Sequence, residues 1–216
     1  MSFGYLGDTS TKIKQQVKNQ GILSISDVYE LEKAGHISGS LELIASTTVS
    51  SSTAVEFTSI KETEYDVHYL TYQGMSMDGV SGDQIPYYRV SNDGGSTFET
   101  GNYASTGQFN TAGGTTVKLS NVSSYGHLCG NQQGSYKWSG HAYFYNLGNS
   151  SKYSFVTFQA VGRYSADSQP SSTFGNSAYT VAETINALQF KVESNVNLDE
   201  GTIKLYGVKQ WVILDF

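Results

Sequence analysis

Apolar and polar residues alternate with a period of two over most of this chain, and most fully across residues 141–161. The two halves of that stretch, HAYFYNLGNSS and KYSFVTFQAV, are rich in aromatic and β-branched residues and flank a turn at 146–151. The pattern predicts two antiparallel strands joined by a short loop. Successive side chains of a strand point to opposite faces, so Tyr153, Phe155 and Thr157 share one face and Val156, Phe158 and Ala160 the other. With apolar residues on both faces, the second strand is expected in the middle of a sheet, covered on at least one side.

The same period returns from residue 40 onward. SLELIAS alternates at Leu41 and Leu43, and TAVEFTSI at Val55 and Phe57. In EYDVHYLTYQG, Tyr65, Val67 and Tyr69 take one face and His68, Leu70 and Tyr72 the other. QIPYYRVS ends at Asn92-Asp93-Gly94-Gly95, the strongest turn signal in the chain, and Pro86 puts it at an edge or at a strand's first residues. Residues 99–140 are ambiguous: short strands fit TTVKLS and 136–138, while GHLCGNQQGSYKWSG reads as a long exposed loop or an irregular hairpin. A polar loop is expected over 165–179, followed by three closing strands, INALQFKV, GTIKLYGV and QWVILDF. About ten short strands with turn signals every 8–12 residues predict an all-β antiparallel β-sandwich or barrel. Long loops at the strand ends fit a jelly-roll-like pair of sheets. The Cys…Trp…Cys spacing of an immunoglobulin-type sandwich is missing.

Residues 1–37 follow another pattern and are expected to form an N-terminal arm plus one short helix, with 38–216 as the sandwich body. Small apolar islands bracket a polar run holding Lys12, Lys14 and Lys18. This segment reads either as a mobile terminus or helical turn, or as an extended arm that orders on a partner. Phe3, Tyr5, Leu6, Ile13 and Val17 would then be its docking residues. The helix is expected over 27–34, with Ser24 or Ser26 as N-cap, Gly35 just past its end, and Val28, Leu31 and Ala34 as its apolar stripe.

Composition narrows the function classes. Charged residues make up 15% of the 216, against roughly 25% in an average domain, and Ser, Thr, Gly, Asn and Tyr take their place. The formal net charge is −6, with no basic stripe, which argues against a nucleic-acid partner. Cys129 is the lone cysteine, so no intramolecular disulfide can form. No run approaches the roughly 18 apolar residues of a membrane helix, and the opening MSFGYLGDTSTKIKQQ lacks the apolar core of a signal peptide. Synthesis in a reducing cytoplasm, without membrane insertion, is the expectation. Asn121 and Asn149 match the glycosylation acceptor pattern and are read as chance.

Catalytic and metal chemistry finds little footing. His127 and Cys129 stand two apart, with His36, His68 and His141 scattered, which is not the paired four-ligand spacing of structural zinc. Asp78, Asp83 and Asp93 sit in Gly-rich loops, where aspartates serve as turn formers more often than as calcium ligands. Glu62, Glu64 and Asp66 alternate and are expected on one solvated strand face; a glycosidase would need two carboxylates set across a cleft. Nucleophile-elbow, phosphate-loop and dinucleotide fingerprints are missing. The expectation is a protein without enzymatic activity and without cofactor. Aromatic surface chemistry remains: Tyr125, Tyr136, Trp138 and Tyr143 surround an amide-rich loop and could stack on sugars, or could pack in the core or at a subunit contact.

Several blocks together resemble virion structural proteins of marine tailed bacteriophages. They are MSFGYLG, SISDVYELEKAGH with GSLELI, YDVHYLTY, RVSNDGGSTF, YFYNLGNSSKYSFVTFQ and INALQFKVESNVNLDEGTIKLYGV. The resemblance is one of texture and block order over nearly the whole chain. It implies a jelly-roll-like sandwich displayed on the particle exterior as a capsid decoration or a tail or fibre component. It further implies a homo-oligomer, often a trimer, with an N-terminal segment docked on capsid, portal, tail or fibre proteins. A host-surface glycan bound by loop 125–143 is the alternative.

Overall fold

The structure, a computed structural model, describes residues 4–6, 15–19, 29, 40–77, 83–119, 121–133, 136–164 and 169–209. The chain divides into two compact units, Met1–Leu41 and Glu42–Phe216.

In the first unit, β1 (Gly4–Leu6) pairs antiparallel with β2 (Gln15–Asn19), Gly4 opposite Asn19 and Leu6 opposite Gln15. Tyr5 and Leu6 therefore lie on β1 and Val17 on β2, while Phe3 and Ile13 fall outside the described residues, as does the expected helix over 27–34 except for Tyr29, which is helical and exposed.

The second unit is an antiparallel β-sandwich, as the alternation predicts. Its strands are β3 (Leu41–Ser52), β4 (Val55–Phe57), β5 (Val67–Met77), β6 (Asp83–Gln84), β7 (Pro86–Ser91), β8 (Tyr103–Thr111) and β9 (Thr116–Lys118). They continue as β10 (Gly126–His127), β11 (Gln132–Gln133), β12 (Trp138–Tyr145), β13 (Ser154–Arg163), β14 (Pro170–Tyr179), β15 (Ala187–Val192) and β16 (Leu198–Val208). Eight strands form one sheet in the order β3-β16-β5-β12-β13-β14-β8-β9, and four form the other, β10-β7-β15-β4. Pro86 is the first residue of β7, where its missing N–H costs no ladder bond.

β13 carries the predicted division of faces. Ser154, Val156, Phe158 and Ala160 are buried; Phe155, Thr157 and Gln159 are exposed. It lies between β12 and β14, with Phe144 opposite Val156 and Phe158 opposite Gly175. Between the sheets, Trp138 and Tyr72 of the large sheet meet Phe190 of the small one, and Tyr88 packs edge-on against Phe144 at 5.1 Å. Each large side chain buried in this way contributes about 1.5–3 kcal/mol. The buried tyrosines keep their hydroxyls paired: Tyr72 Oη donates to the Leu128 carbonyl at 2.6 Å, and Ser177 Oγ donates to Tyr88 Oη at 3.1 Å. Close approach decides Gly140, beside a register shift in β12, because a Cβ there would stand 2.5 Å from the Tyr72 ring and the Gln159 carbonyl.

Three expectations are corrected. The polar loop over 165–179 is in part a strand, since 170–179 form β14. Its inward positions are Ser171, Thr173, Ser177 and Tyr179, so small hydroxyl side chains fill core positions where the apolar signal was sought. The stretch GHLCGNQQ is packed inside, with 126–130 wholly buried, because Leu128 and Cys129 join the core cluster. Glu62, Glu64 and Asp66 precede β5 in a turn, closed by the Glu64 N–H donating to the Lys61 carbonyl at 3.0 Å. The closing strand expected at QWVILDF lies outside the described residues.

Candidate functional site

Among the described residues, one face of the eight-stranded sheet packs on the small sheet, and the other is open, with Phe155, Val161 and Phe174 exposed. Strand register sets the open face in rows, because side chains directly opposite each other across a ladder stand side by side. One row runs Tyr206–Tyr69–Tyr143–Thr157–Asn176 across β16, β5, β12, β13 and β14. Two residues further along the strands, the next row runs Lys204–Thr71–His141–Gln159–Phe174. A trough of about 660 Å³ follows this second row, with Tyr69 and Tyr206 on one side and Gln73, Val161 and Ser172 on the other. A smaller depression of about 520 Å³ adjoins it over Tyr143, Tyr145, Thr157 and Asn176.

The rings of the first row form a ladder. Tyr69 lies 4.6 Å from Tyr143 and 6.2 Å from Tyr206, centre to centre, with planes 32° and 36° apart. Burial between these neighbours, and then the nearness of their own hydroxyls, raises the Tyr69 phenol pKa above its ordinary value. The three rings are packed side by side before any partner arrives. Phe174 stands apart from it, 47% exposed, and Val161 is 60% exposed. Lys204 is the one charged side chain among the described residues lining the trough. Its chemistry is that of rings, amides and hydroxyls, which bind by contact and hydrogen bond.

Of the four aromatic residues expected around the loop, Tyr143 belongs to this face and the others do not. Trp138 is 1% exposed and lies in the core. Tyr125 stacks on Tyr87 at 4.4 Å and donates its hydroxyl to the Glu193 carboxylate; burial, then that carboxylate, pushes its pKa up. Tyr136 is capped by the Arg163 guanidinium, 3.7 Å from its ring centre. Loop 125–143 is thus not a common ring platform: rings near a sandwich end gain more from the core and from each other than from water. Tyr206, Gln159 and Phe174 are not singled out by the sequence, and Tyr69 is marked there only as a strand aromatic. For Gln159 the signal is the outward register of SFVTFQAV, which alternates Phe155, Thr157, Gln159 and Val161 on one side.

The other candidate groups have structural partners. Asp93 Oδ1 accepts from Ser91 Oγ at 2.7 Å and from the Thr97 N–H at 2.9 Å, and Oδ2 accepts from Thr97 Oγ1 at 2.7 Å. Those bonds hold its carboxyl down at about 2, so it is a turn former with its lone pairs in use. Asp78 and the Asp83 side chain lie outside the described residues. His68 and His127 are buried; His141 is on the open face. Among the described residues, no three His, Cys, Asp or Glu are grouped to hold a metal ion. Near Glu64, Lys61 bridges Glu42 at 3.0 Å and Glu64 at 3.4 Å. The Lys61 bond, then those of Tyr65 and Lys209, bring the Glu42 pKa down to about 2.

Fold and site together define an all-β sandwich with one open aromatic face. Comparison with protein-family models, with curated proteins and with solved structures finds no match to this chain.

Proposed function

We propose that this protein is a non-enzymatic structural component of a tailed-bacteriophage particle, displayed on the exterior as a capsid decoration or a part of the tail or fibre apparatus. The observation that carries the reading is the open, ring-lined and nearly uncharged trough of the large sheet, a surface built for contact. The sequence resemblance points the same way. The division of the chain into Met1–Leu41 and Glu42–Phe216 suits an anchor joined to a displayed body. The body would assemble as a homo-oligomer, most simply a trimer. Its large sheet ends in β3 and β9, edge strands on which Leu43 and Val117 are exposed, and such edges need covering. Glu62, Glu64 and Asp66 lie outside the trough's lining, which supports a reading without hydrolysis. Mass spectrometry of purified particles tests the proposal. The protein should copurify at a fixed ratio to the other virion proteins, and its absence from them would overturn the reading.

A further inference from the structure

We propose that the open face of the large sheet binds an uncharged polysaccharide, laid along the trough across β16, β5, β12, β13 and β14. The inference rests on the reading of the body as a contact module and names the partner of that surface.

A sugar ring offers two chemistries at once. Its C–H bonds make a weakly positive apolar face, and its rim carries hydroxyls, each both donor and acceptor. A site for it needs aromatic carbon and uncharged hydrogen-bonding groups side by side, and the trough has them in register. Phe174, half exposed, makes no ring contact among the described residues, so its negative π face is free to take a sugar's C–H face. Gln159 stands beside it on the neighbouring strand, with Thr71 two strands further along the same row. Tyr69 and Tyr206 form the flanking wall, and their ladder fixes them in place, so little side-chain freedom is lost on binding. Adjacent strands lie about 4.8 Å apart, so five strands span roughly 19 Å, enough for several consecutive sugar units.

Charge selects among the possible occupants. A nucleic acid or a strongly acidic polymer needs several cations in a line. Among the described residues the trough has Lys204 alone, in a chain of formal net charge −6. A second copy of the chain would bury Thr71, Gln73, Gln159 and Ser172, and each amide or hydroxyl left unpaired there costs free energy. Sugar hydroxyls can pair with all of them.

Affinity electrophoresis of the full chain tests this, in native gels holding a soluble β-glucan, a galactomannan or a xylan, with alginate as the anionic arm. Retardation is expected in at least one uncharged gel. Phe174→Ala and Gln159→Ala should each weaken it about tenfold or more, while Tyr153→Ala, exposed and outside the trough, leaves it unchanged. Both trough residues are exposed, and unaltered thermal melting verifies that the variants fold. The proposal is overturned by no retardation in any uncharged gel, by retardation in alginate alone, or by retardation indifferent to both trough substitutions. It is equally overturned if sedimentation shows an oligomer that Val161→Asp disperses, for the occupant is then a second copy. A protein present in purified particles that binds no polysaccharide refutes this inference and leaves the virion reading standing. A sugar-binding protein missing from particles does the reverse.

Discussion

Trp138 lies nearly flat on Phe190, ring centres 5.9 Å apart and planes 13° from parallel. The two residues belong to β12 and β15, so the pair joins the large sheet to the small one. Trp138→Ala should destabilise the fold by about 3–5 kcal/mol, the range for deleting a large buried ring. The indole Nε1–H is buried without a partner among the described residues, so Trp138→Phe, which removes that donor, should cost much less. Denaturant unfolding of the two variants tests the order. A Trp138→Ala protein as stable as the parent would contradict the packing.

His68 sets a pH dependence. Its Nε2 meets the Ile60 carbonyl at 2.8 Å and its ring is fully buried. Burial lowers its pKa below 6.5, against the smaller upward pull of the Ile60 carbonyl and Glu62. The unfolded chain therefore takes up a proton that the folded chain resists. Stability is complete above the unfolded pKa and is lost as pH falls from there toward the folded value. Unfolding free energy should decline below about pH 6.5, before the carboxylates titrate. In His68→Gln the slope of that decline should flatten, whatever the absolute stability. An unchanged slope would show that His68 is not its source.

Cys129 should be chemically silent in the native protein. It is fully buried, with Sγ 3.9 Å from Thr173 Oγ1, and burial pushes its thiol pKa up to about 12. The thiolate is the reactive form. A thiol reagent at pH 8 should label nothing until denaturant is added, and then one equivalent. Rapid labelling of the folded chain would place Cys129 at the surface.

Deleting residues 1–23 should leave a folded, soluble body, because among the described residues the core cluster runs from Val49 to Leu205, with Ile44 and Ala45 packed against it. In the proposed role the truncated protein no longer joins the particle, as an anchor of sparse apolar residues binds well only in several copies. Circular dichroism and particle incorporation test the two halves of this prediction. Normal incorporation would show that the segment is not the anchor.

The sandwich is legible in the sequence because Val156, Phe158 and Ala160 alternate with Phe155, Thr157 and Gln159, and the structure buries one set and exposes the other. β14 is not legible, since its inward Ser171, Thr173 and Ser177 have no apolar period to detect. The open face was half visible. Tyr69 and Tyr143 stand out as strand aromatics, but only the pairing of β5 with β12 and β16 brings Tyr69, Tyr143 and Tyr206 together. Trp138 misleads for the same reason: its loop-like neighbours suggest exposure, and the crossing of β15 behind it supplies Phe190.

A cryo-electron microscopy reconstruction of the source particle would decide whether this is an externally displayed virion protein with its open face as the contact surface. Density for the sandwich is expected on the outside, with the Phe174 face of the large sheet directed away from the particle. A reconstruction without the sandwich, or with that face packed flat against the shell, would contradict it.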